Sequence, residues 1–410
     1  MRNNADKNSI KIPYECKKII LLNALFQGGR LFVGAICALY FLSFGLQIED
    51  YAWIKTVQAF VFVGLDIPLG YFLNRMGEYK SLVCALVLGA IGAVGYLIAR
   101  SFLEFIIAEL FLALSISIWP VALSAYSMQL LEKYKKEGLT EKFFHLGDSI
   151  SNIFILLCGA LGGFFYSYNK FLPYSFFVIF YVFSILFTLF LLKDLNKEIE
   201  NEQNIFKPIN LDLVKQIFPF AIILFFIQFF MQPLFHYWQP LFQEMFNIES
   251  KDLSVVFVTY SISMSIMSLG YSKVTHQSSL RSLLFVLIAA VLAGFMFNRI
   301  AEGNNIYLSS FFISMTFGIF NIIQVATGIL VQNQLNQEYR MIVVKYVSFF
   351  ARIGMIISLV MVHYLFSFNF STLEIYKTYS VLSIVVFLSG MLYLIISKKV
   401  GRKYALESTS

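Results

Sequence analysis

The chain has 410 residues, of which 59% are hydrophobic and 13% are charged, and its formal net charge is +7. Its mean hydropathy of +0.74 lies well above what a soluble core needs. The composition therefore excludes a soluble globular protein and predicts a membrane protein. A nucleic-acid-binding surface would have no soluble domain to occupy, so we expect no nucleic-acid partner.

Apolar runs long enough to cross a bilayer recur along almost the whole chain. A spanning helix needs about 20 apolar residues to cross roughly 30 Å of hydrocarbon. Six runs come first, at 19–46, 52–73, 81–99, 103–130, 144–168 and 173–192. Six more follow, at 217–242, 253–271, 282–298, 306–332, 342–366 and 377–396. We predict an all-α polytopic membrane protein with twelve transmembrane helices.

The segment between the two sets of runs is charged and polar and contains Pro208. It predicts a cytoplasmic linker at 193–216 between an N-terminal bundle, 1–192, and a C-terminal bundle, 217–396, with a tail at 397–410. The first apolar run is too long for a signal peptide, so we expect it to remain as a helix. The four cysteines have no paired spacing, and we expect no disulfide, metal site or cofactor.

Lysine and arginine are distributed unevenly between the two sides of the predicted membrane. The side that holds both termini carries 23 of them, and the opposite side carries 6, among them Lys55. The positive-inside rule then predicts cytoplasmic termini and a cytoplasmic (inner) membrane. Two further cations, Arg30 and Arg352, fall within predicted spans.

The first span carries a polar stripe. Asn23, Gln27, Arg30 and Gly34 recur every three or four residues, which predicts one polar helix face. Arg30 lies about 18 Å beyond Lys18 along a helix, near the middle of the bilayer. Its guanidinium could attract an anionic substrate, hold a titrating carboxylate, or satisfy helix carbonyls. Glu109, in the fourth span, is the leading carboxylate partner.

The second and third spans are joined by a short basic turn within the stretch DIPLGYFLNRMGEYKSLV, residues 66–83. Any cytoplasmic loop can show basic residues and a helix-ending glycine. The order of Asp66, Gly70, Asn74, Arg75, Gly77 and Lys80 is nevertheless more specific than that. Arg352, in the eleventh span, needs a partner or water, because an unpaired arginine in hydrocarbon costs about 2.5 to 3.5 kcal/mol.

Further polar faces occur in the fourth, seventh and tenth spans. Because polar groups inside a bilayer are costly unless they meet a partner or water, such faces predict a solvated pathway. The candidate substrate-binding residues of these spans are Ser115, Trp119, Tyr126, Gln228, Gln232, His236, Asn321 and Gln324, in addition to Asn23, Gln27 and Arg30. Glu109, Asp148 and His236 are candidates for proton coupling. Amide contacts that only join helices could produce the same faces.

The turn between the second and third spans resembles the conserved loop between helices two and three of the major facilitator superfamily. In that family the loop is usually written GxxxDRxGRR, and here its positions are held by Gly70, Asn74, Arg75, Gly77 and Lys80. Here Asn74 replaces the usual aspartate, and Glu78 and Tyr79 stand where basic residues are usual. The sequence WQP at 238–240 and the sequence GALGG at 159–163 add to the resemblance, which covers residues 17–396. The second half has a corresponding turn at 271–281 that lacks the glycine pattern.

The resemblance implies two pseudo-symmetric six-helix bundles that rock around a central site to give alternating access. It implies that spans one, four, seven and ten line the cavity, that spans two and eleven are neighbours, and that the loop clamps the bundles on the cytoplasmic side. The candidate gate residues are then Asp66, Gly70, Asn74, Arg75, Gly77, Lys80 and Arg352. We expect Asp66 to pair with Arg352 when the cytoplasmic side is closed; two independently hydrated residues are the alternative. Asn74 weakens the expected clamp. The sequence GALGG matches only partly a GxxxGPxxGG motif of proton-driven exporters.

No phosphate-binding loop, HExxH or GxSxG motif is present, so we expect secondary transport and no enzymatic activity. The first hypothesis is proton-coupled export of a small amphiphilic compound such as a drug or a secreted siderophore. The second is proton-coupled import of a polar solute or organic acid, and the third is a non-transporting receptor on the same fold. The expected partners are a small-molecule substrate, protons and the lipid bilayer, and we expect a monomer.

Overall fold

A computed structural model describes residues 12–66, 75–134, 139–192, 211–271, 279–303, 305–333 and 337–407. These residues form thirteen helices. The first seven are α1 (Tyr14–Leu31), α2 (Cys37–Leu42), α3 (Ile48–Asp66), α4 (Glu78–Ile98), α5 (Phe102–Lys133), α6 (Thr140–Tyr168) and α7 (Leu172–Leu191). The other six are α8 (Leu211–Phe246), α9 (Ser250–Tyr271), α10 (Ser279–Glu302), α11 (Ile306–Asn333), α12 (Gln337–Ser367) and α13 (Thr372–Glu407).

The helices make twelve crossings, because α1 and α2 together form the first span. Within the described ranges, nine helical stretches are long and apolar enough to cross a membrane. Large apolar side chains such as Phe190, Tyr307 and Ile98 are exposed on outward helix faces, as a lipid-facing surface requires. The prediction of an all-helical polytopic protein is confirmed.

Several element boundaries differ from the sequence prediction. Helix α8 already begins at Leu211, so residues 211–216 of the predicted linker are helical. Helix α13 continues to Glu407, through most of the predicted tail. Apolar runs indicate where a helix crosses hydrocarbon, but backbone hydrogen bonding continues into polar residues beyond it.

The first span is broken, although its sequence predicted one helix. Between α1 and α2 the main chain makes three hydrogen bonds of the i to i−3 type. In each, the amide of Phe32, Gly34 or Ile36 donates to the carbonyl three residues earlier. Helical i to i−4 bonding resumes at Tyr40, whose amide bonds the carbonyl of Ile36. The prediction of a continuous helix at 19–46 is therefore wrong, and a side chain from the other half of the protein bridges the break, as described below.

Each half packs as a bundle. In the first bundle α4 lies along α5 and α7, α1 lies along α6, and α3 lies along α5. In the second bundle α8 lies along α12, and α11 lies between α9 and α10. Small residues allow close approach: the Cα of Gly92 on α4 faces the main chain of Ala108 and Leu112 on α5.

Among the described residues, the main contacts between the two bundles run along three helix pairs. These pairs are α6 with α9, α3 with α12, and α2 with α8. Twelve crossings put both chain ends on one side, which we call the termini face, and the α6–α7 and α12–α13 turns on the opposite side, the far face. The contact of Trp53 with His363, whose ring centroids are 4.7 Å apart, joins α3 and α12 near the far face.

Candidate functional site

Asn23 connects three helices of the first bundle. Its side-chain nitrogen donates to Ser151 Oγ on α6 at 3.0 Å, and its Oδ1 accepts from the indole Nε1 of Trp119 on α5 at 3.0 Å. The ring of Trp119 also stacks on Phe26, with centroids 4.0 Å apart. The structure thus brings together two of the predicted substrate-binding residues, Asn23 and Trp119, and uses both in packing.

Gln27 and Arg30 lie one turn apart on α1 and carry polar atoms without partners. The Oε1 atom of Gln27 and the Nε atom of Arg30 are buried and have no hydrogen-bond partner among the described residues. Leaving a buried donor or acceptor unsatisfied costs roughly 1 to 3 kcal/mol, and more for a charged group. Such atoms persist at a site where a bound molecule or water can supply the missing partner.

The amide face of the second bundle is also formed. Gln228 donates from Nε2 to Gln324 Oε1 at 3.3 Å, which joins α8 to α11. Gln232 donates to the main-chain oxygen of Gln228 at 3.0 Å. Asn321 donates to the carbonyl of Met264 on α9 at 3.2 Å, so its side chain joins two helices of the same bundle.

Glu109 is bound by Lys55 and not by Arg30. The Nζ atom of Lys55 lies 3.1 Å from Oε1 and 3.2 Å from Oε2 of Glu109, and both side chains are nearly inaccessible, at 7% and 0% exposure. The ammonium also lies 5.6 Å from the ring centre of Phe41 and 5.7 Å from that of Tyr51. The expected pairing of Glu109 with Arg30 is therefore wrong.

Sequence reasoning assigned Lys55 to the far-side cations because it lies close to the start of the second predicted span. The helix begins earlier, at Ile48, which places Lys55 two turns inside it. An available signal was the position of Lys55 four residues after Tyr51, on the same helix face, in a stretch rich in apolar residues. A count of basic residues on each side of the membrane does not consider which helix face a residue occupies, so it could not detect this burial.

Aromatic contacts connect the ion pair to the interface between the bundles. The ring of Tyr51, beside Lys55, meets the rings of His236 and Tyr237 on α8 at centroid distances of 6.4 and 5.8 Å. His236 is half-buried there. The predicted coupling residues Glu109 and His236 are thus separated by Tyr51 and Lys55.

Three other candidates occupy different places. Ser115 is fully buried within the first bundle, beside Gly89 of α4 and Tyr181 of α7. Tyr126 is also buried on α5, whereas Asp148 is exposed in the first half of α6. The predicted roles of Ser115, Tyr126 and Asp148 stay predictions.

Aromatic residues of the fourth and seventh spans could form a wall suited to an amphiphilic ligand, namely Trp119, Trp238, Tyr126, Tyr237 and Phe235, but most of them are closed to solvent. Trp119, Trp238, Tyr126 and Tyr237 are each exposed by 2% or less, and only Phe235 has a large exposed fraction. These rings pack against protein side chains; Trp238, for example, meets Tyr260 edge to face at 5.6 Å. They do not present an open apolar surface in this conformation.

Part of the predicted gate lies outside the described residues. Gly70 and Asn74 fall there, as does the side chain of Asp66, at the end of α3. Arg75 and Lys80 are exposed on the termini face. Gly77 has a φ of +79°, which favours glycine, and it caps α4 by accepting hydrogen bonds from the amide and hydroxyl of Ser81.

Arg352 reaches across the interface between the bundles. Its Nη1 atom donates to the carbonyl of Phe62 on α3 at 2.7 Å, one helical turn before Asp66. The guanidinium carbon also lies 5.8 Å from the ring centre of Phe62. The expected neighbourhood of the second and eleventh spans is present, while the pairing of Arg352 with Asp66 stays a prediction.

The far-face contact is centred on the break in the first span. Gln239 of α8 donates from Nε2 to the carbonyl of Gly34 at 2.6 Å, and its Oε1 accepts from the amide of Ala38 at 2.8 Å. On the other side of the break, Gly162 of α6 lies so close to the carbonyl of Phe32 that any Cβ would clash with it. The glycines of the GALGG sequence therefore serve close approach between spans.

Gly159 and Gly163, from the same sequence, contact the second bundle. A Cβ at Gly159 would meet the ring of Phe257, and a Cβ at Gly163 would meet the hydroxyl of Ser254. Ser254 and Phe257 both lie on α9, so α6 and α9 are held in close contact near the far face.

Two bundles of membrane-spanning helices that pack against each other across a shared interface define the architecture of a membrane transporter. The sequence profile of the Major Facilitator Superfamily matches residues 19–359. The chain belongs to this superfamily of transporters, which move small molecules across membranes, and the predicted family and fold are confirmed.

Solved structures of similar shape are also transporters. The chain is similar to the crystal structure of the nucleoside transporter NupG, with a TM-score of 0.74, 12% identity, and coverage of 93% of this chain and 99% of NupG. It is similar to a bacterial homologue of the human lysosomal transporter Spinster, in an inward-facing and occupied conformation. That match has a TM-score of 0.68, 11% identity, and coverage of 94% and 96%. No curated protein matches.

Proposed function

We propose that this protein is a proton-coupled secondary transporter of a small polar solute with an acidic group, and that Arg30 binds the acid. The observation that carries this proposal is the buried, partnerless Nε of Arg30 beside the partnerless Oε1 of Gln27. A carboxylate can accept two hydrogen bonds from a guanidinium, and a neighbouring amide selects among polar groups. Glu109 pairs with Lys55 and does not neutralise Arg30, so the positive charge of Arg30 remains available to a solute.

Helical register supports a site shared by the two bundles. Gln239 contacts the first span between residues 34 and 38, and α1 and α8 both start from the termini face. Moving about 10 Å back along each helix leads to Arg30 on α1 and Gln232 on α8, at similar depth. The partnerless atoms of α1 and the amides of α8 therefore fall in one layer.

Exposure along the amides supports access from the termini face. Gln232 is 2% exposed, Gln228 is half-buried, and Gln324 is exposed. The far face carries the tight contacts of Gln239, Gly159 and Gly163 with the opposite bundle. This gradient is that of a carrier closed on the far face.

We propose that Glu109 binds the coupled proton, with Lys55 as its counter-ion. Protonation of the carboxylate would leave the buried ammonium without a counter-charge, which favours a conformation that hydrates Lys55. Tyr51 contacts both Lys55 and the rings of α8, so a shift of Lys55 acts directly on the interface between the bundles.

A ligand screen tests the proposal. Purified protein would be heated with a panel of carboxylates, phosphates, amino acids, nucleosides and neutral sugars, the nucleosides because NupG is a nucleoside transporter. We expect acid-bearing compounds to raise the melting temperature of the wild type and not of Arg30→Met, with partial retention in Arg30→Lys. Stabilisation by neutral compounds alone, or unchanged binding in Arg30→Met, would contradict the role of Arg30.

A second candidate function is proton-coupled export of an amphiphilic compound such as a drug or a secreted siderophore. It is favoured by Gly162 and Gly163, which match the end of an exporter motif and lie at close interhelical contacts. Accumulation of hits from the screen in a deletion strain, with and without a protonophore, separates the possibilities. Import lowers external compound, export lowers internal compound, and a non-transporting receptor changes neither.

We further propose that the carrier acts as a monomer in a cytoplasmic membrane, with both termini in the cytoplasm. The distribution of 23 against 6 basic residues, or 23 against 5 once the buried Lys55 is left out, supports this orientation. Protease protection of a C-terminal tag in inverted and right-side-out vesicles would test it.

A further inference from the structure

The amide of Gln239 occupies the place of one particular main-chain hydrogen bond. In an α-helix the amide of residue 38 would donate to the carbonyl of residue 34. Here the carbonyl of Gly34 accepts from Nε2 of Gln239 at 2.6 Å, and the amide of Ala38 donates to its Oε1 at 2.8 Å. One primary amide from the second bundle thus bridges the two ends of a helical bond that is missing in the first.

The surroundings of the bridge are dry and tightly packed. Gln239 is 2% exposed, and the Cα of Gly34 faces the ring of Phe257 from α9. Without Gln239, the Gly34 carbonyl and the Ala38 amide would have to find water or bond each other, because unpaired main-chain groups are costly at membrane depth. Side chains that insert into the helical ladder are a recognised cause of kinks.

We infer that Gln239 is a gating residue that couples closure of the far face to the break in the first span. This inference rests on alternating access but not on any particular substrate. When the bundles separate at the far face, Gln239 leaves, the Ala38 amide donates directly to the Gly34 carbonyl, and α1 and α2 join into one helix. The Gly34 carbonyl and the Ala38 amide each have a hydrogen-bond partner whether the far face is closed or open, so opening leaves neither group unpaired.

The position of Gln239 next to a proline also explains how its side chain can withdraw from the bridge. Pro240 follows it and has no amide hydrogen, so α8 lacks one of its own bonds at this level. A helix weakened at that turn can withdraw the Gln239 side chain by a local bend. The bridge therefore joins a helix that can bend, α8, to the break between α1 and α2.

The experiment follows far-face distance and main-chain protection together. Spin labels at residues 169 and 369, in the far-face turns of the two bundles, report separation by pulsed electron paramagnetic resonance. The background replaces the four native cysteines by alanine and is kept only if its melting temperature is unchanged. Hydrogen exchange of peptides covering residues 32–40 is measured on unlabelled protein in nanodiscs.

Gln239→Met keeps the size of the side chain and removes both hydrogen bonds, and Gln243→Met, an exposed glutamine one turn further on α8, is the matched control. We expect Gln239→Met to raise the ratio of long to short distances about 5- to 10-fold, from the typical strength of two membrane hydrogen bonds. Residues 34–40 are expected to stay protected from exchange. The control should match the wild type in both measurements.

Three results would overturn the inference: unchanged distances in Gln239→Met, an equal shift in Gln243→Met, or an open far face with lost protection at 34–40. Should Gln239→Met fail to fold, the variant to use is Gln239→Leu rather than Gln239→Glu, because a carboxyl group in so dry a site would be protonated and would keep both hydrogen bonds. The leucine side chain makes neither bond, so it should also open the far face. None of these measurements needs a substrate, so they stay informative if the acid-binding role of Arg30 is refuted.

Discussion

Replacing Lys55 by methionine should destabilise the protein strongly, and replacing Glu109 by glutamine as well should restore most of the loss. In the wild type the ammonium lies 3.1 and 3.2 Å from the carboxylate oxygens, with neither group accessible to water. At an effective dielectric constant of about 20, the Coulomb attraction at this distance is about 5 kcal/mol. Removing one partner of a buried pair typically costs about 3 to 5 kcal/mol, because the other charge remains buried.

The double variant Lys55→Met with Glu109→Gln leaves no buried charge. Replacing both partners of a buried ion pair is often neutral, so we expect a free energy of unfolding near that of the wild type. Unfolding is followed by tryptophan fluorescence in mixed detergent micelles, and the coupling energy comes from the complete double-variant cycle.

Lys251→Met is the matched control, because Lys251 pairs with Glu249 at 2.8 Å but both side chains are more than half exposed. It should leave unfolding unchanged. A wild-type-like Lys55→Met, or a double variant no more stable than the single, would refute the reasoning that the pair is buried and self-neutralising. Should the double variant be stable and still transport with coupled proton flux, Glu109 would not be the proton-binding group.

Two further substitutions probe the contacts around the first span. Gly162→Ala places a Cβ against the Phe32 carbonyl and should lower the free energy of unfolding by about 1 to 3 kcal/mol, as overpacking does. Chemical unfolding measures this change. The control is Gly64→Ala, whose Cβ meets open space and should not lower the free energy of unfolding. Equal effects at the two glycines would contradict the close approach. Asn23→Leu strips the indole of Trp119 of its acceptor and frees the Ser151 hydroxyl, so it should cost about 1 to 3 kcal/mol and shift the tryptophan emission. The exposed Asn152→Leu on α6 should do neither, and an unshifted spectrum in Asn23→Leu would argue that the bond is absent in solution.

Much of the fold could be predicted because the bilayer imposes it. Apolar length located the spans, and polar spacing located the helix faces that carry Asn23, Gln27 and Arg30 on α1. The contact between Gln228 and Gln324 also joins two faces that the sequence singled out. Periodicity reports which face is polar, and that information is local.

The errors concern partners, which are not local. Glu109 was expected to meet Arg30 and instead meets Lys55, because α3 begins early enough to bury that lysine. The sequence also could not name the partners of Asn23, which bonds Ser151 and Trp119 far along the chain, and its predicted contact with substrate stays a prediction. The break in the first span is bridged by Gln239, about two hundred residues away, and the pattern within 19–46 cannot point to that residue.

The bond from Arg352 to α3 ends on a main-chain oxygen of Phe62, and this has a consequence for how variation can affect the carrier. Every amino acid offers the same carbonyl, so a change of side chain at position 62 leaves the acceptor in place. The contact can be lost genetically only through its donor, at position 352. Natural variants should therefore tolerate many residues at 62 while keeping arginine at 352, and a mutational scan of both positions would display that asymmetry directly.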